Sequence, residues 1–368
     1  GGNKNRGVIY KIDISGNNFQ VLKNFQDTPD GRLPYGGLIS DGTKLYGTSI
    51  SGGIYGWGTV FSLEKDGSNY TTLKNFNDDG NSRNPVGILI MEGNYLYGTT
   101  EAGGTNDVGT VYKIDTNNNE YSVLASFDKI PSGAVPQGGL VSHGNSFYGV
   151  TSLGGINNDG TIFKINKDGS ELIKIFDFDK ITTGSRSSYV ELVIKDGFLY
   201  GTASDGGAND DGTLFKIGID GNGFTNLWNF DHLDESGANG AYPTCGLYYD
   251  GTYFYGLAAE GGTIGQGTIF RFKDATTTGL ISKKNEIGFY IYPNPAKNTC
   301  SVKIENPNIS ISNIEIYNAK GELIASPNIQ PIINNIFNID LSGFTKGIYF
   351  LNIKSEGTIQ TKSFLVLD

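Results

Sequence analysis

Residues 96–114 read LYGTTEAGGTNDVGTVYKI and decide the fold. Two short segments rich in β-branched and aromatic residues, 96–100 and 110–114, flank a loop that holds the pair Gly103-Gly104. If the second segment is extended, Thr110, Tyr112 and Ile114 fall on one face, which is the period of a β-strand. The stretch therefore predicts two strands joined by a glycine-rich loop.

This unit recurs about every 51 residues along the first 272 residues. Its tyrosine is repeated at Tyr46, Tyr97, Tyr148, Tyr200 and Tyr255, and its glycine pair at Gly52-Gly53, Gly103-Gly104, Gly154-Gly155, Gly206-Gly207 and Gly261-Gly262. Another strand of the unit is marked by Phe25, Phe76, Phe127, Phe178 and Phe230. A fourth begins near Pro34, Pro85, Pro136 and Pro243, a place that Ser188 holds in the remaining unit. Each unit thus predicts four short strands.

Four strands per period of about 40–50 residues are typical of a β-propeller, in which each blade buries its faces against its neighbours. Counting predicts 21 strands in residues 1–272, which makes five blades and one strand, or six blades with a clipped N-terminal piece. We favour six. In either case strands from the two ends are expected to complete one blade together, because this removes an exposed sheet edge.

The repeated unit resembles the tandem repeats called GloVer, which are found in secreted bacterial proteins. The resemblance is carried by residues 96–100, Gly103-Gly104 and 109–114, and it covers almost all of residues 1–272. It implies no defined activity.

After Phe272 the repeat ends. Residues 273–288 are polar with few apolar positions and predict a linker. Residues 289–368 contain six short apolar stretches separated by turn residues, which predict a small immunoglobulin-like antiparallel β-sandwich. The chain is thus expected to be all-β, with a repeat propeller, a linker and a C-terminal domain.

The C-terminal domain resembles a type A sorting domain of the type IX secretion system. The resemblance is carried by residues spread over the whole segment, namely Tyr292, Pro293, Asn294, Pro295, Gly321, Gly347, Tyr349 and Phe364. It implies an origin in the Bacteroidota and export across the outer membrane to the cell surface. It also implies contact with the translocon and its shuttle protein, and cleavage by a sortase within residues 273–288. The alternative is a module that only stabilises or spaces the propeller.

Charge and composition narrow the choice of partners. The net charge is −10 and the pI is about 4.8, so a nucleic acid is not expected to bind. No stretch approaches the roughly 18 apolar residues of a membrane span. Cys245 and Cys300 lie in different predicted domains, which predicts two free thiols.

Catalytic motifs are sparse. His143 and His232 are the only histidines, and neither has a nucleophile motif around it or metal-ligand spacing. Acidic pairs at 78–79, 210–211 and 234–235 could cleave glycosides, but they lie in Gly- and Asn-rich loops where Asp favours turns. A non-enzymatic protein is favoured; the alternatives are a polysaccharide-cleaving enzyme that uses acidic loop residues and a purely structural surface protein.

The loops after the glycine pairs hold the first candidate site. Three of them are built mainly from Asn and Asp, whereas one reads Ile54-Tyr55-Gly56-Trp57. Exposed Tyr and Trp suit stacking on sugar rings or anchoring a protein partner, so Tyr55 and Trp57 are candidate ligand contacts. The structural alternative is that Trp57 folds back over a blade edge.

The Asn and Asp side chains of the other loops are the second candidates. Equivalent loops cluster on one face of a propeller, so an arc is expected from Asn106, Asp107, Asn157, Asp159, Asn209, Asp210 and Asp211. Their oxygens can hydrogen-bond a glycan or ligate Ca²⁺. No EF-hand spacing is present, which favours turn formation, and no cofactor is predicted. We therefore expect a secreted surface protein whose propeller binds a glycan or a protein.

Overall fold

The computed structural model describes residues 1–187, 189–232, 240–262, 265–274, 289–292, 296–304, 311–318, 320, 322–327, 336–355 and 358–367. Ser188, residues 234–235, most of the predicted linker, Pro293, Asn294, Pro295 and Gly321 lie outside this part of the chain. Every regular element in it is a strand, which confirms the all-β class, and it holds no helix that could span a membrane. The chain divides into two compact units, Gly1–Ala275 and Thr276–Asp368.

In its described part, the first unit contains six antiparallel sheets. The first sheet pairs β1 (Val8–Lys11) with β2 (Gln20–Asn24). The second contains β3 (Ile39–Ser40), β4 (Lys44–Ser49), β5 (Thr59–Glu64) and β6 (Thr71–Asn75). The third contains β7 (Arg83–Glu92), β8 (Tyr95–Ala102), β9 (Thr110–Asp115) and β10 (Tyr121–Ser126).

The remaining sheets of this unit follow the same plan. The fourth contains β11 (Val141–His143), β12 (Ser146–Thr151), β13 (Thr161–Asn166) and β14 (Ile173–Asp177). The fifth contains β15 (Val193–Lys195), β16 (Phe198–Ala203), β17 (Thr213–Gly218) and β18 (Thr225–Asn229). In the sixth, β19 (Gly240–Pro243), β20 (Tyr248–Tyr249) and β22 (Thr268–Phe272) all pair with β21 (Phe254–Gly261). The second to fifth sheets each hold four strands in chain order, as the repeat predicts.

Successive sheets are joined by one repeated aromatic contact. A phenylalanine after the last strand of one sheet meets, edge to face, an aromatic ring of the next sheet, on the strand that follows the glycine-pair loop. The five pairs have ring centroids 4.9–5.5 Å apart and interplanar angles of 61–80°: Phe25–Phe61, Phe76–Tyr112, Phe127–Phe163, Phe178–Phe215 and Phe230–Phe270. Such pairs add about 0.5–1.5 kcal/mol beyond the area that they bury.

The glycine of the Tyr-Gly motif makes room for this ring. A Cβ built on Gly149 would lie only 2.6 Å from Cζ of Phe163, and Gly47, Gly98 and Gly201 face the equivalent rings at 2.5–2.8 Å. Any larger residue would push the ring off its partner phenylalanine. The glycine of the Tyr-Gly motif is therefore required by the close packing of the second strand against the ring on the third.

The sixth sheet leaves one face uncovered. Leu257 is 49% exposed and Ile269 is 80% exposed. The residues equivalent to Ile269 in the preceding sheets are buried, with exposures of only 0–3%: Val60, Val111, Ile162 and Leu214. The same sheet position is thus core in four units and surface in the last.

The first sheet is uncovered on its opposite side. Tyr10 and Ile12 are exposed there, whereas the equivalent Phe61 and Leu63 are buried. Among the described strands, β1 pairs with β2 and β22 pairs with β21 only. The expected blade shared between strands from the two ends is therefore not formed in the described part of the chain.

In its described part, the second unit contains two antiparallel sheets. One has the order β23 (Phe289–Tyr292), β24 (Thr299–Ile304) and β27 (Ile336–Asp340). The other has the order β26 (Leu323–Ala325), β25 (Asn313–Asn318), β28 (Gly347–Ser355) and β29 (Thr358–Val366). Both sheets contribute to one hydrophobic core, in which Cys300, Tyr349 and Phe364 are buried.

Both cysteines are free thiols, as predicted. Burial raises the pKa of Cys300 to about 11, so this thiol stays protonated at neutral pH. Cys245 accepts a hydrogen bond at its Sγ from the backbone N–H of Leu257 at 3.1 Å. Cys300 is therefore a small buried group, whereas Cys245 is only half-buried, in contrast to the expected burial of both thiols.

We expect Ile162→Ala to lower the free energy of unfolding by about 2–5 kcal/mol, because it removes a fully buried side chain between two sheets. The matched control is Ile269→Ala, the same substitution at the repeat-equivalent exposed position, which should change stability by less than about 0.5 kcal/mol. Urea unfolding followed by fluorescence measures both. Equal losses would show that the outer face of the sixth sheet is covered in solution.

Candidate functional site

Two sets of loops share one edge of the sheets. One set joins the second and third strands and carries the glycine pairs; the other leads from each sheet into the next. They are tied by short bridges between Arg32 and Ser51, between Ala134 and Leu153, and between Ser185 and Asp205. We call the surface formed by these loops the loop surface.

The glycine-pair loops are built around left-handed backbone. Gly103 and Gly104 have φ angles of 92° and 77°, and Asp107, three residues on, has φ of 56°. An oxygen of Asp107 accepts the N–H of Gly103 at 2.9 Å. Asn158 and Asp210 repeat this contact with Gly154 and Gly206 at 3.1 Å. Asp and Asn therefore stand here because they tolerate left-handed φ and can bond to the backbone locally.

The asparagines of these loops tie them to the following strand. Asn106, Asn157 and Asn209 donate from Nδ2 to the carbonyl oxygens of Phe127, Phe178 and Phe230 at 3.3, 3.0 and 2.9 Å, respectively. Because these phenylalanines form the aromatic pairs between sheets, the amides support the fold at the loop surface.

The acidic residues of the loops also have partners within the protein. Asp107 pairs with Arg83 at 2.7 Å, and Asp159 accepts the backbone N–H of Lys180 at 2.9 Å. Asp210 pairs with the Lys180 ammonium at 3.0 Å. Within the described residues, no three His, Cys, Asp or Glu side chains come together as a metal site would require.

Asp211 points away from Asp210. It is buried, and its carboxylate bonds to the backbone N–H of His232 at 2.8 Å and to His232 Nδ1 at 2.6 Å. The two neighbouring acids thus face different partners.

Tyr55 and Trp57 occupy different environments. The ring of Tyr55 is 58% exposed. Trp57 is half-buried against the core beneath its loop, and the guanidinium carbon of Arg83 lies 5.3 Å from its ring centroid. Its backbone carbonyl accepts the N–H of Asn84 at 2.9 Å. Trp57 thus covers a sheet edge, and only Tyr55 offers an open aromatic face.

A second feature is formed by the first strand of each sheet, which we call its inner strand. The chain segments at the starts of these inner strands converge. A Cβ built on Gly36 would overlap the carbonyl oxygen of Gly87, and one on Gly138 would overlap that of Val190. One on Gly87 would lie 2.8 Å from the backbone of Gly138. These positions are equivalent in the repeat, so the inner strands of four sheets meet backbone to backbone.

Two tyrosines from non-adjacent sheets meet at this convergence. Tyr35 and Tyr189 lie edge to face with ring centroids 5.9 Å apart. Tyr35 is 62% exposed and Tyr189 is 36% exposed. Tyr189 has φ of 58°, an unusual backbone for an aromatic residue, in the one unit whose proline position is filled by Ser188.

An amide and a carboxylate complete the group. Gln137 occupies the position of Tyr35 in its own unit and donates from Nε2 to Glu101 Oε1 at 2.6 Å. Burial, followed by the charge of Glu101, raises the pKa of the Tyr189 hydroxyl. The backbone of Gly138, which follows Gln137, meets that of Val190, which follows Tyr189, so these two side chains start from neighbouring points of the convergence. We call Tyr35, Glu101, Gln137 and Tyr189 the central cluster.

Glu191 adds a second carboxylate at the convergence. Its side chain lies against the backbone of Gly139, where a Cβ would be 2.9 Å from Glu191 Cγ, and against that of Gly246. Burial raises the pKa of Glu191, while hydrogen bonds from the backbone of Ile88, Gly246 and Gly139 lower it. One carboxylate thus contacts three other sheets.

Neither the central cluster nor Glu191 was predicted from the sequence as a site. The signal was present: Glu191 replaces the Gly37, Ile88, Gly139 and Gly246 of the other units. The repeat position of Tyr35, Gln137 and Tyr189 also varies, since Val86 holds it in another unit. That these side chains converge follows only from the packing of the sheets.

Comparison with known families identifies both parts of the chain. The model of the Gloeobacter/Verrucomicrobia repeat matches residues 1–145 and 84–270. The model of the secretion system C-terminal sorting domain matches residues 290–367.

Individual proteins share only part of the chain. Beta-agarase A of Zobellia galactanivorans is 36% identical over 69 residues, which are 19% of this chain and 12% of the agarase. Among solved structures, TolB of Acinetobacter baumannii is 14% identical with a TM-score of 0.41, over 59% of this chain and 47% of TolB. A puromycin-hydrolysing peptidase of Mycobacterium tuberculosis is 11% identical with a TM-score of 0.47, over 83% of this chain and 48% of the peptidase.

We expect Glu191→Gln to change how stability depends on pH. Burial raises the folded-state pKa of Glu191, so the protonated acid contributes stability below the unfolded pKa of about 4.3, and this contribution is lost as pH rises through the folded pKa. The free energy of unfolding of E191Q relative to the wild type should therefore increase from about pH 4 to about pH 7. Urea unfolding at several pH values measures it; a flat or falling difference contradicts the assignment.

Proposed function

We propose that this chain, which belongs to the Gloeobacter/Verrucomicrobia repeat family, is a secreted surface protein that binds a glycan through its central cluster. The observation that carries the proposal is the exposed pair Tyr35–Tyr189 beside the hydrogen-bonded Glu101–Gln137 pair. Aromatic faces beside a few fixed polar groups are the usual means by which proteins hold sugar rings.

Export rests on the C-terminal unit. Its match to the sorting domain family assigns the protein to type IX secretion and to the outside of the cell. Tyr349 and Phe364, two of the motif residues, are buried in its core, whereas Tyr292 is exposed at the end of β23. We propose that the shuttle protein and the sortase act on this domain, and that it has the immunoglobulin-like topology.

We further propose that the sheets of the first unit are the blades of a six-bladed propeller. The convergence of Gly36, Gly87, Gly138 and Val190 supports a common axis. The uncovered faces of the first and sixth sheets support a sixth blade, of which β1 and β2 are the outer strands. On this arrangement the central cluster lies at the mouth of the axis, on the loop surface.

The central cluster is favoured over the loop arc as the site. Asn106, Asn157 and Asn209 are used to hold strands, and Trp57 is packed beneath Arg83. Tyr35, by contrast, keeps an open ring. Catalysis by paired loop acids has no support in the geometry of Asp210 and Asp211, so a binding role is proposed.

Tyr35→Ala should weaken glycan binding at least about tenfold, because it removes the more exposed face of the aromatic pair. Tyr55→Ala is the matched control: its ring is equally exposed but lies in a glycine-pair loop, and the variant should bind as the wild type does. A glycan array followed by calorimetry on the best ligand measures both. Retained binding in Y35A together with loss in Y55A would move the site to the glycine-pair loop that carries Tyr55.

Removal of residues 289–368 should abolish export in a Bacteroidota host with a type IX secretion system, and the repeat unit should accumulate in the periplasm. Fusion of the same residues to an unrelated periplasmic protein should carry that protein to the cell surface. Fractionation and surface proteolysis measure both. Export of the shortened chain would show that the C-terminal unit is not the secretion signal.

A further inference from the structure

The hydrogen-bonding capacity left free on Glu101 and Gln137 of the central cluster consists mainly of acceptors. The Glu101–Gln137 bond uses Glu101 Oε1 and one N–H of Gln137 at 2.6 Å. Within the described residues, Glu101 Oε2 and the carbonyl oxygen of Gln137 make no hydrogen bond of their own. A carboxylate and an amide carbonyl can only accept hydrogen bonds, so a ligand must bring donors to them.

The charge around the cluster is negative. Glu101 and Glu191 are both acids at the convergence of the inner strands, and because burial raises the pKa of each, their negative charge is present above that raised pKa. The cations nearest in sequence to the tyrosines already face acids: Arg32 lies 3.5 Å from Asp27, and Arg186 lies 3.7 Å from Asp205. The net charge of the whole chain is also negative, at −10. An anionic ligand would therefore be repelled.

The two rings set the shape that the ligand must have. Because Tyr35 and Tyr189 meet edge to face at an interplanar angle of 69°, the two ring planes form a corner rather than a flat platform. A pyranose has an apolar face of C–H groups and a rim of hydroxyls. Its face can stack on the open ring of Tyr35 while hydroxyls donate to Glu101 and Gln137.

From these contacts we infer that the central cluster selects neutral or amino sugars and rejects uronic acids and sulfated sugars. This inference rests on the proposed glycan-binding function and adds the class of ligand. Hydroxyl and ammonium groups supply the donors that the free acceptors need. Carboxylate and sulfate groups supply none, and they bring like charge to Glu101.

The test compares neutral and acidic oligosaccharides of equal length. Calorimetry at low salt, with neutral gluco- and galacto-hexaoses against hexauronates and sulfated galactans, should give at least about tenfold tighter binding of a neutral ligand. Glu101→Gln keeps the shape and removes the charge, and it should reduce this preference to within about threefold. Equal or tighter binding of the acidic sugars by the wild type would overturn the inference, as would an unchanged preference in a folded E101Q.

Salt provides a test that needs no variant. Raising the ionic strength of the wild-type experiment should narrow the preference, because screening weakens the repulsion of the acidic ligands. An unchanged preference contradicts the electrostatic basis. If acidic sugars bind best and Y35A loses them, glycan binding at the cluster stands and only the ligand class is wrong. If no glycan binds, or Y35A binds all of them unchanged, the proposed function itself fails.

Discussion

The edge-to-face contact between a phenylalanine of one sheet and an aromatic ring of the next is the interaction on which the first unit depends. It occurs five times with ring centroids 4.9–5.5 Å apart. Because each ring must reach its partner in the following unit, the length of the repeat is constrained. The glycine beneath each ring and the asparagine that holds the phenylalanine carbonyl serve the same contact.

Much of this fold could be predicted because the chain carries its own internal comparison. Residues such as Phe127 and Gly149 recur at one spacing, and a requirement repeated five times is visible in a single sequence. The behaviour of the end sheets could not be predicted in this way. Whether Ile269 is buried or exposed depends on whether a neighbouring sheet covers it. The sequence around Ile269 does not show this, because the same pattern surrounds its buried equivalents.

The candidate site was harder to predict for a related reason. Trp57 departs from its equivalents in the other loops, yet its ring packs beneath Arg83. Tyr35 and Tyr189 look ordinary in sequence, and they become a pair only because two non-adjacent sheets meet. Asn and Asp in a loop do not by themselves separate binding from folding, since left-handed turns select the same residue types. A departure from the repeat marks a site only where its side chain remains accessible.

The uncovered faces of the first and sixth sheets have a consequence for how the isolated chain behaves. The sixth sheet presents Leu257 and Ile269 to water, and the first sheet presents Tyr10 and Ile12. Among the described strands, β22 and β1 each pair with one strand only and so leave one strand edge open. Such surfaces attract one another between molecules. Concentrated solutions of residues 1–368 alone should therefore self-associate, and their colloidal behaviour will report on these faces.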